Sequence, residues 1–120
     1  MRLVLTLAGT VAIASGSWTI IGQGKASGRF TLAAASGTAI KPAEIRMKVT
    51  ALPSIRTIAG YSIQCRRGSH RKRGTGKTTG RTPIIKDIAL PIVHPDVCVV
   101  VASATLPTAT KMTVTILARR

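Results

Sequence analysis

Aromatic side chains are nearly absent from this sequence. Its 120 residues include one Trp, one Tyr and one Phe, so the core of any fold has to be built from aliphatic side chains. Val, Ile and Thr dominate several stretches, and β-branched residues pack well on a half-buried sheet surface. The composition therefore favours an aliphatic, strand-rich core.

Acids are as rare as aromatics. Three acids stand against 18 Lys and Arg, which gives a formal net charge of +15 at pH 7. This count nearly excludes the paired carboxylates of glycoside hydrolysis. His94 and Asp96 flank Pro95 and are too close in sequence to aim at each other in a hydrolase triad. We therefore predict no enzymatic activity and an attraction for anionic polymers.

No segment shows the apolar spacing of an amphipathic helix. Between residues 44 and 51, Ile45, Met47 and Val49 alternate with polar residues, which is the period of a strand. The same alternation, bounded by Gly and Pro, predicts about seven strands, at residues 17–23, 29–34, 44–51, 56–65, 82–90, 97–106 and 111–118. Gly22 and Gly24 are expected to end the first strand, and Ser36-Gly37 to form a turn after the second. The nearly continuous apolar run 97–106 is predicted to be a central strand covered on both faces.

Two cysteines allow one intramolecular pairing, Cys65 with Cys98. Both lie in predicted strands. We expect an all-β fold, an antiparallel immunoglobulin-like sandwich of about seven strands, in which this disulfide joins facing strands across the core. The length fits one domain, over residues 15–120.

Residues 1–14 predict an export signal. Arg2 is a short positive region, residues 3–11 are an apolar run, and Ala12-Ile13-Ala14 has the small-x-small form of a cleavage site. The alternative is an N-terminal strand of the fold. Export would bring the cysteines into an oxidising environment, so we expect a secreted or cell-surface protein.

Residues 66–81 break the alternation and contain seven cations, four glycines and no acid. We expect a long basic hairpin loop, with flared strand ends and a mobile tip, whose roots the disulfide holds. The candidate contacts for an anionic polymer are Arg66, Arg67, Arg71, Lys72, Arg73, Lys77 and Arg81. Without an aromatic residue in the loop, binding would be electrostatic and sequence-blind. The alternative is a solvated loop that only keeps the protein soluble.

Two short motifs suggest other chemistry. Residues 74–78 have the Gly-Lys-Thr of a P-loop, but Arg71 stands where its first glycine belongs and no helix can follow. A Cys2His2 zinc set is also present, in Cys65, His70, His94 and Cys98. Export favours the disulfide instead, and the cations around His70 oppose a metal ion. We therefore expect no metal, no cofactor and no small-molecule substrate.

Four motifs resemble those of a set of small secreted β-sandwich proteins of actinobacteria. They are Gly16-Ser17-Trp18, the strand 45–51 followed by Pro53, Cys65-x-x-Gly68, and Pro95-Asp96-x-Cys98-x-Val100-x-Ala102. The resemblance covers nearly all of residues 15–120. It implies a secreted β-sandwich and transfers no activity.

The sequence thus favours a secreted, basic, non-enzymatic domain that binds anionic polymers or surfaces through a cationic hairpin. One alternative is a structural or adhesive envelope protein that binds another protein through a sheet face or edge. Another is a cytoplasmic, sequence-blind nucleic-acid binder whose N-terminus is a strand. A small basic toxin or inhibitor is a third, for which no specific motif speaks.

Overall fold

The computed structural model describes residues 17–27, 32–106 and 110–120. These residues form eight strands: β1 (Thr19–Ser27), β2 (Leu32–Ile40), β3 (Glu44–Leu52), β4 (Arg56–Arg67), β5 (His70–Arg81), β6 (Ile84–Ile88), β7 (Val97–Thr105) and β8 (Lys111–Arg119). Within this part of the chain no helix is long and apolar enough to span a membrane. The predicted export signal lies outside the described residues.

The strands form two antiparallel sheets of four. Sheet A has the order β1-β8-β3-β6, and sheet B has the order β2-β7-β4-β5. The predicted all-β sandwich is confirmed, with eight strands rather than seven. The chain pairs β1 with β8, β2 with β7, β3 with β6 and β4 with β5, like one long hairpin rolled up. This strand order is that of the eight-stranded jelly roll.

The inward faces of the two sheets form one aliphatic core. The predicted alternation is confirmed in β3 and β8, which bury Ile45, Met47, Val49, Met112, Val114 and Ile116. Sheet B contributes smaller side chains, such as Ala59, Ala102 and Ala104, beside Ile63 and Val100. With few aromatics available, β-branched and small residues fill the space between the sheets.

The prediction that residues 97–106 are covered on both faces is wrong. β7 lies centrally in sheet B, but Val99 and Val101 are 49% and 48% exposed on the outer face. Cys98, Val100 and Ala102 are buried on the inner face. β7 is therefore paired with a strand on each side, while its outer face remains exposed to solvent.

Two glycines expected to end the first strand lie inside it. β1 continues through Gly22 and Gly24 to Ser27, because its pairing with β8 continues. A Cβ at Gly24 would overlap the carbonyl oxygen of Ala34 in β2. The expected turn at Ser36-Gly37 is likewise part of β2, where a Cβ at Gly37 would press on the Ile21 backbone. These glycines let the two sheets meet closely along one side.

The Cys65–Cys98 pairing is confirmed, but the disulfide lies within one sheet. The two cysteines are direct partners in neighbouring strands β4 and β7, with their Cα atoms 4.1 Å apart. The expectation that the bond crosses the core between facing strands is therefore wrong. Its place in sheet B follows from the rolled pairing order, which sets β7 beside β4.

Removing the disulfide should lower stability without changing the strand order. The bond closes a separation of 33 residues that contains the whole β4–β5 hairpin turn and β5. Replacing both cysteines by alanine should reduce the free energy of unfolding by about 2–5 kcal/mol, measured by urea denaturation. A reducing agent should destabilise the native protein similarly and leave the double variant unchanged. Equal stability of variant and native protein would contradict this role.

Candidate polyanion-binding hairpin

The basic segment 66–81 is a regular β-hairpin, and the expectation of a long loop there is wrong. β4 and β5 each have 12 residues and pair without interruption from Arg56–Arg81 to Arg67–His70. Only Gly68 and Ser69 form the turn, with φ of 61° at Gly68. Glycine at the first central position suits a two-residue type II′ turn, which matches the twist of paired strands.

Inward-facing glycines explain why β5 looked like a loop in the sequence. Gly74, Gly76 and Gly80 alternate with exposed residues, so the strand period is present but its inner positions carry no apolar side chain. At Gly76 the missing side chain leaves room for the ring of Tyr61, its cross-strand partner. An aromatic ring laid over an edge glycine is a known way to stabilise such a pair.

This packing predicts different effects for two alanine substitutions in one strand. Gly76→Ala should destabilise the protein by about 1–3 kcal/mol, because the new Cβ would overlap the Tyr61 ring. Gly80→Ala meets nothing within 4 Å and should be neutral or slightly stabilising. Urea unfolding of the two variants measures the difference. Equal stabilities would show that Tyr61 does not occupy the position above Gly76.

The hairpin register places five of the seven predicted site residues on the outward face of sheet B. Opposite residues in an antiparallel pair share a face. The outward pairs are Arg66–Arg71, Gln64–Arg73, Gly60–Lys77 and Arg56–Arg81. The outward face therefore combines Arg66, Arg71, Arg73, Lys77 and Arg81, and it adds Arg56, which lies outside the basic segment of the sequence.

The other two predicted site residues lie on the opposite side of the hairpin. Lys72 pairs with Cys65, and Arg67 pairs with His70, so both lie on the inward side of the hairpin. Both are nevertheless exposed, Lys72 on the edge strand and Arg67 at the end of β4 beside the turn. Arg67 donates a hydrogen bond to the carbonyl oxygen of Val93, at 2.7 Å. Arg67 therefore helps to fix the hairpin turn, and it does not lie on the outward face with the other cations.

The turn of the hairpin is anchored, contrary to the expectation of a mobile tip. The Gly68 amide donates to the Asp96 carboxylate at 2.8 Å, and the Asp96 amide donates to the Arg66 carbonyl at 2.7 Å. Together with the Arg67–Val93 contact, these bonds tie the turn to the loop before β7. One of the few carboxylates in the chain is thus used to fix the hairpin tip.

The remaining two acids form ion pairs with arginines in sheet A. In sheet A, Arg46 pairs with Asp87 at 2.8 Å, and Arg119 pairs with Glu44. Both guanidinium groups also stack on Trp18, at 4.2 and 4.6 Å from its ring centre. None of the chain's three acids lies in sheet B, so its outward cations face solvent without an acidic neighbour on their sheet.

An apolar stripe borders the outward cations. Val99 and Val101 of β7 are the partners of Gln64 and Ser62 in β4, and both valines are about half exposed. Ile58 on β4 and Leu32 on β2 extend the exposed apolar surface on the same face. The outer face of sheet B is thus cationic along β5 and apolar across its middle.

The two motifs that suggested other chemistry have different structures. Residues 74–78 lie within β5 in an extended ladder with β4, which is not the helix-capping loop of a P-loop. The two cysteines of the Cys2His2 set are bonded to each other, so neither is free as a thiolate ligand. In the described ranges no three His, Cys, Asp or Glu residues cluster to hold a metal ion.

Comparisons with known protein families, curated proteins and solved structures find no match. The fold and the hairpin themselves define the class: a strongly basic, disulfide-bonded jelly-roll sandwich with a cationic edge hairpin. The resemblance to small secreted proteins of actinobacteria stays a prediction.

Proposed function

We propose that this protein is a secreted, non-enzymatic domain that binds anionic polymers through the outward face of the β4–β5 hairpin. The observation that carries the proposal is the set of cations gathered on that face, in a sheet without an acid. A surface of one sign attracts polymers of the other sign from a distance and raises their local concentration.

Strand geometry supports the proposal better than a loop would. Along β5, residues two apart on one face are about 6.8 Å apart, so Arg71 and Arg73 form one close step. Lys77 and Arg81 follow at steps of about 13–14 Å. Because the backbone of the hairpin is already ordered, a bound polymer does not have to fix it, and the entropic cost of binding is lower.

The chemistry of this face favours sequence-blind binding. The hairpin's only aromatic residue is Tyr61, which faces inward over Gly76 and is not offered to a base. Stacking, the usual source of base contacts in single-strand binders, is therefore not provided. Arginine and lysine side chains recognise phosphate, sulfate or carboxylate groups by charge and hydrogen bonding.

The disulfide supports a location outside the cytosol. Cys65 and Cys98 are both fully buried and bonded, as structural disulfides are in oxidising compartments. The proposed export signal at residues 1–14 agrees with this location. The same bond disfavours the cytoplasmic nucleic-acid binder, since cytosolic thiols are kept reduced.

A second candidate function is binding of another protein in the cell envelope. The half-exposed Val99 and Val101, at the centre of the outward face of sheet B, favour it. Capture from a secreted fraction in high salt discriminates the two, because apolar binding survives salt that screens charge. Capture that disappears in high salt would favour the polyanion function.

A salt series tests the proposed function. The oxidised domain, residues 15–120, is titrated with polyphosphate, DNA and an anionic glycan at several salt concentrations. About five contacts predict that log K falls with log salt with a slope of about −4.5 for duplex DNA. Comparable binding to all three polymers is expected. No binding at low salt, or affinity independent of salt, would overturn the proposal.

A further inference from the structure

β5 forms a free edge of sheet B. It is the last strand in the order β2-β7-β4-β5, and in the described part of the chain it pairs with β4 alone. It has 12 residues, contains no proline, and its register with β4 shows no bulge. Natural proteins usually shorten, bend, cover or charge such edges, because an unpaired strand is a template for another strand, and the device that β5 shows is charge.

The disulfide shows which backbone groups face that edge. A Cα–Cα distance of 4.1 Å fits a non-hydrogen-bonded pair, so the amide and carbonyl of Cys65 point away from β7 and toward β5. In agreement with this, the carbonyl of the next residue, Arg66, points to the other side of β4, where it accepts a hydrogen bond from the Asp96 amide. Lys72, the partner of Cys65, is therefore bonded to β4, and its neighbours Arg71 and Arg73 are not.

This alternation extends along the whole strand. Backbone hydrogen bonds to β4 come from the inward residues, which are Lys72, Gly74, Gly76, Thr78 and Gly80. The outward residues carry the unpaired backbone groups, and they are Arg71, Arg73, Thr75, Lys77, Thr79 and Arg81. The free hydrogen-bonding groups of the edge thus belong to the same residues whose cationic side chains form the proposed binding face.

We propose that β5 receives an extended acidic polypeptide strand, which adds to sheet B as a fifth strand, antiparallel like all the pairings of that sheet. The inference rests on the proposed function and names its partner. Backbone hydrogen bonds would supply affinity, and acidic residues at every second position would lie directly beside Arg71, Arg73 and Lys77. A second copy of this chain is disfavoured, because two such edges would place like charges opposite each other.

The native protein tests this with peptides of equal charge. A peptide of about ten residues alternating Glu and Thr is compared with two N-methylated forms. In a strand added antiparallel to β5, the Glu residues share the outward face of Arg73 and direct their amides toward β5. N-methylation of the Glu amides should weaken binding by about tenfold or more. The same number of N-methyl groups on the Thr amides should leave affinity unchanged.

A proline variant tests the protein side. The Thr75 amide faces the free edge, so Thr75→Pro removes no bond to β4 and no charge. It should lose at least about tenfold in affinity for the Glu-Thr peptide and keep its affinity for polyphosphate. A matched change on the outward face, Thr75→Val, should keep both affinities.

The outcomes separate the two proposals. Equal, salt-dependent binding of both N-methylated peptides would overturn strand addition and leave polyanion binding standing. Binding of polyphosphate but of no acidic peptide would also overturn strand addition. Binding of neither polyphosphate nor peptide would overturn the proposed function as well. A chain that dimerises through β5 in place of binding peptide would overturn the choice of partner and show that the edge selects a second copy.

Discussion

Replacing Arg71, Arg73, Lys77 and Arg81 by glutamine should lower the affinity for polyphosphate or DNA by about a hundredfold at low salt. These four residues are the cations of β5 that share the outward face. Each lost contact should also reduce the salt dependence, so the slope of log K against log salt should flatten by about 3–4 for duplex DNA. Titrations of variant and native protein across one salt series measure both quantities.

The matched control removes the same charge from sheet A. Lys25, Lys48, Lys86 and Lys111 are exposed and lie on four different strands of that sheet. None of them belongs to the two ion pairs found in the described residues. Their replacement by glutamine should change the affinity only slightly, through the lower overall charge. Equal losses for the two quadruple variants would show that net charge, and not the hairpin, determines binding.

Gly24→Ala should destabilise the protein more than the alanine substitutions at Gly76 and Gly80. Its Cβ would overlap the Ala34 carbonyl in β2, and a backbone atom cannot move aside as a flexible side chain can. The strands β1 and β2 belong to different sheets, so relief requires opening the sandwich along that side. We expect a loss of at least about 3 kcal/mol in the free energy of unfolding, or no folded protein.

Gly80→Ala is the control for Gly24→Ala, because both add one methyl group to a strand glycine. At Gly80 the methyl group enters open space. Urea denaturation of the two purified variants, with circular dichroism as the signal, measures the difference. A Gly24→Ala variant as stable as the native protein would mean that the two sheets do not meet closely at this position.

The sequence predicted strands wherever an apolar side chain marks every second position. β3 is the clearest case, since Ile45, Met47 and Val49 are all buried. β5 was missed because its inner positions are mostly glycine, and glycine usually indicates a turn. The two-residue spacing of Gly74 and Gly76, together with Gly68-Ser69 as a hairpin turn, was the available signal.

The order of the strands in the two sheets could not be predicted from local sequence patterns. Alternation shows that a strand has an inner face and does not show which strand lies beside it. The rolled pairing that sets β7 next to β4 depends on contacts between distant segments, and so does the position of the disulfide within sheet B. The close approach at Gly24 and Gly37 has the same origin: local sequence predicts a strand end and a turn at these glycines, and only the neighbouring strand shows why they lie inside β1 and β2.

For the candidate site, the sequence located the charge and missed its arrangement. The clustering of seven cations between residues 66 and 81 is visible in the order of the residues alone. Their division between two faces requires the strand assignment, which assigns Lys72 to the inner side and brings Arg56 onto the outward face. The contacts of Arg67 with Val93 and of Asp96 with Gly68 required the loop before β7 to be placed.

The most direct test of the account is a residue-resolved NMR titration of the oxidised domain with polyphosphate. If the outward face of the hairpin is the binding surface, amide and side-chain signals should shift along β5, from Arg71 to Arg81, and at Arg66 across the pair. Signals of Lys25 and Lys48 in sheet A should remain in place. Shifts that centre on sheet A, or that spread evenly over both sheets, would contradict the assignment of the hairpin as the binding site.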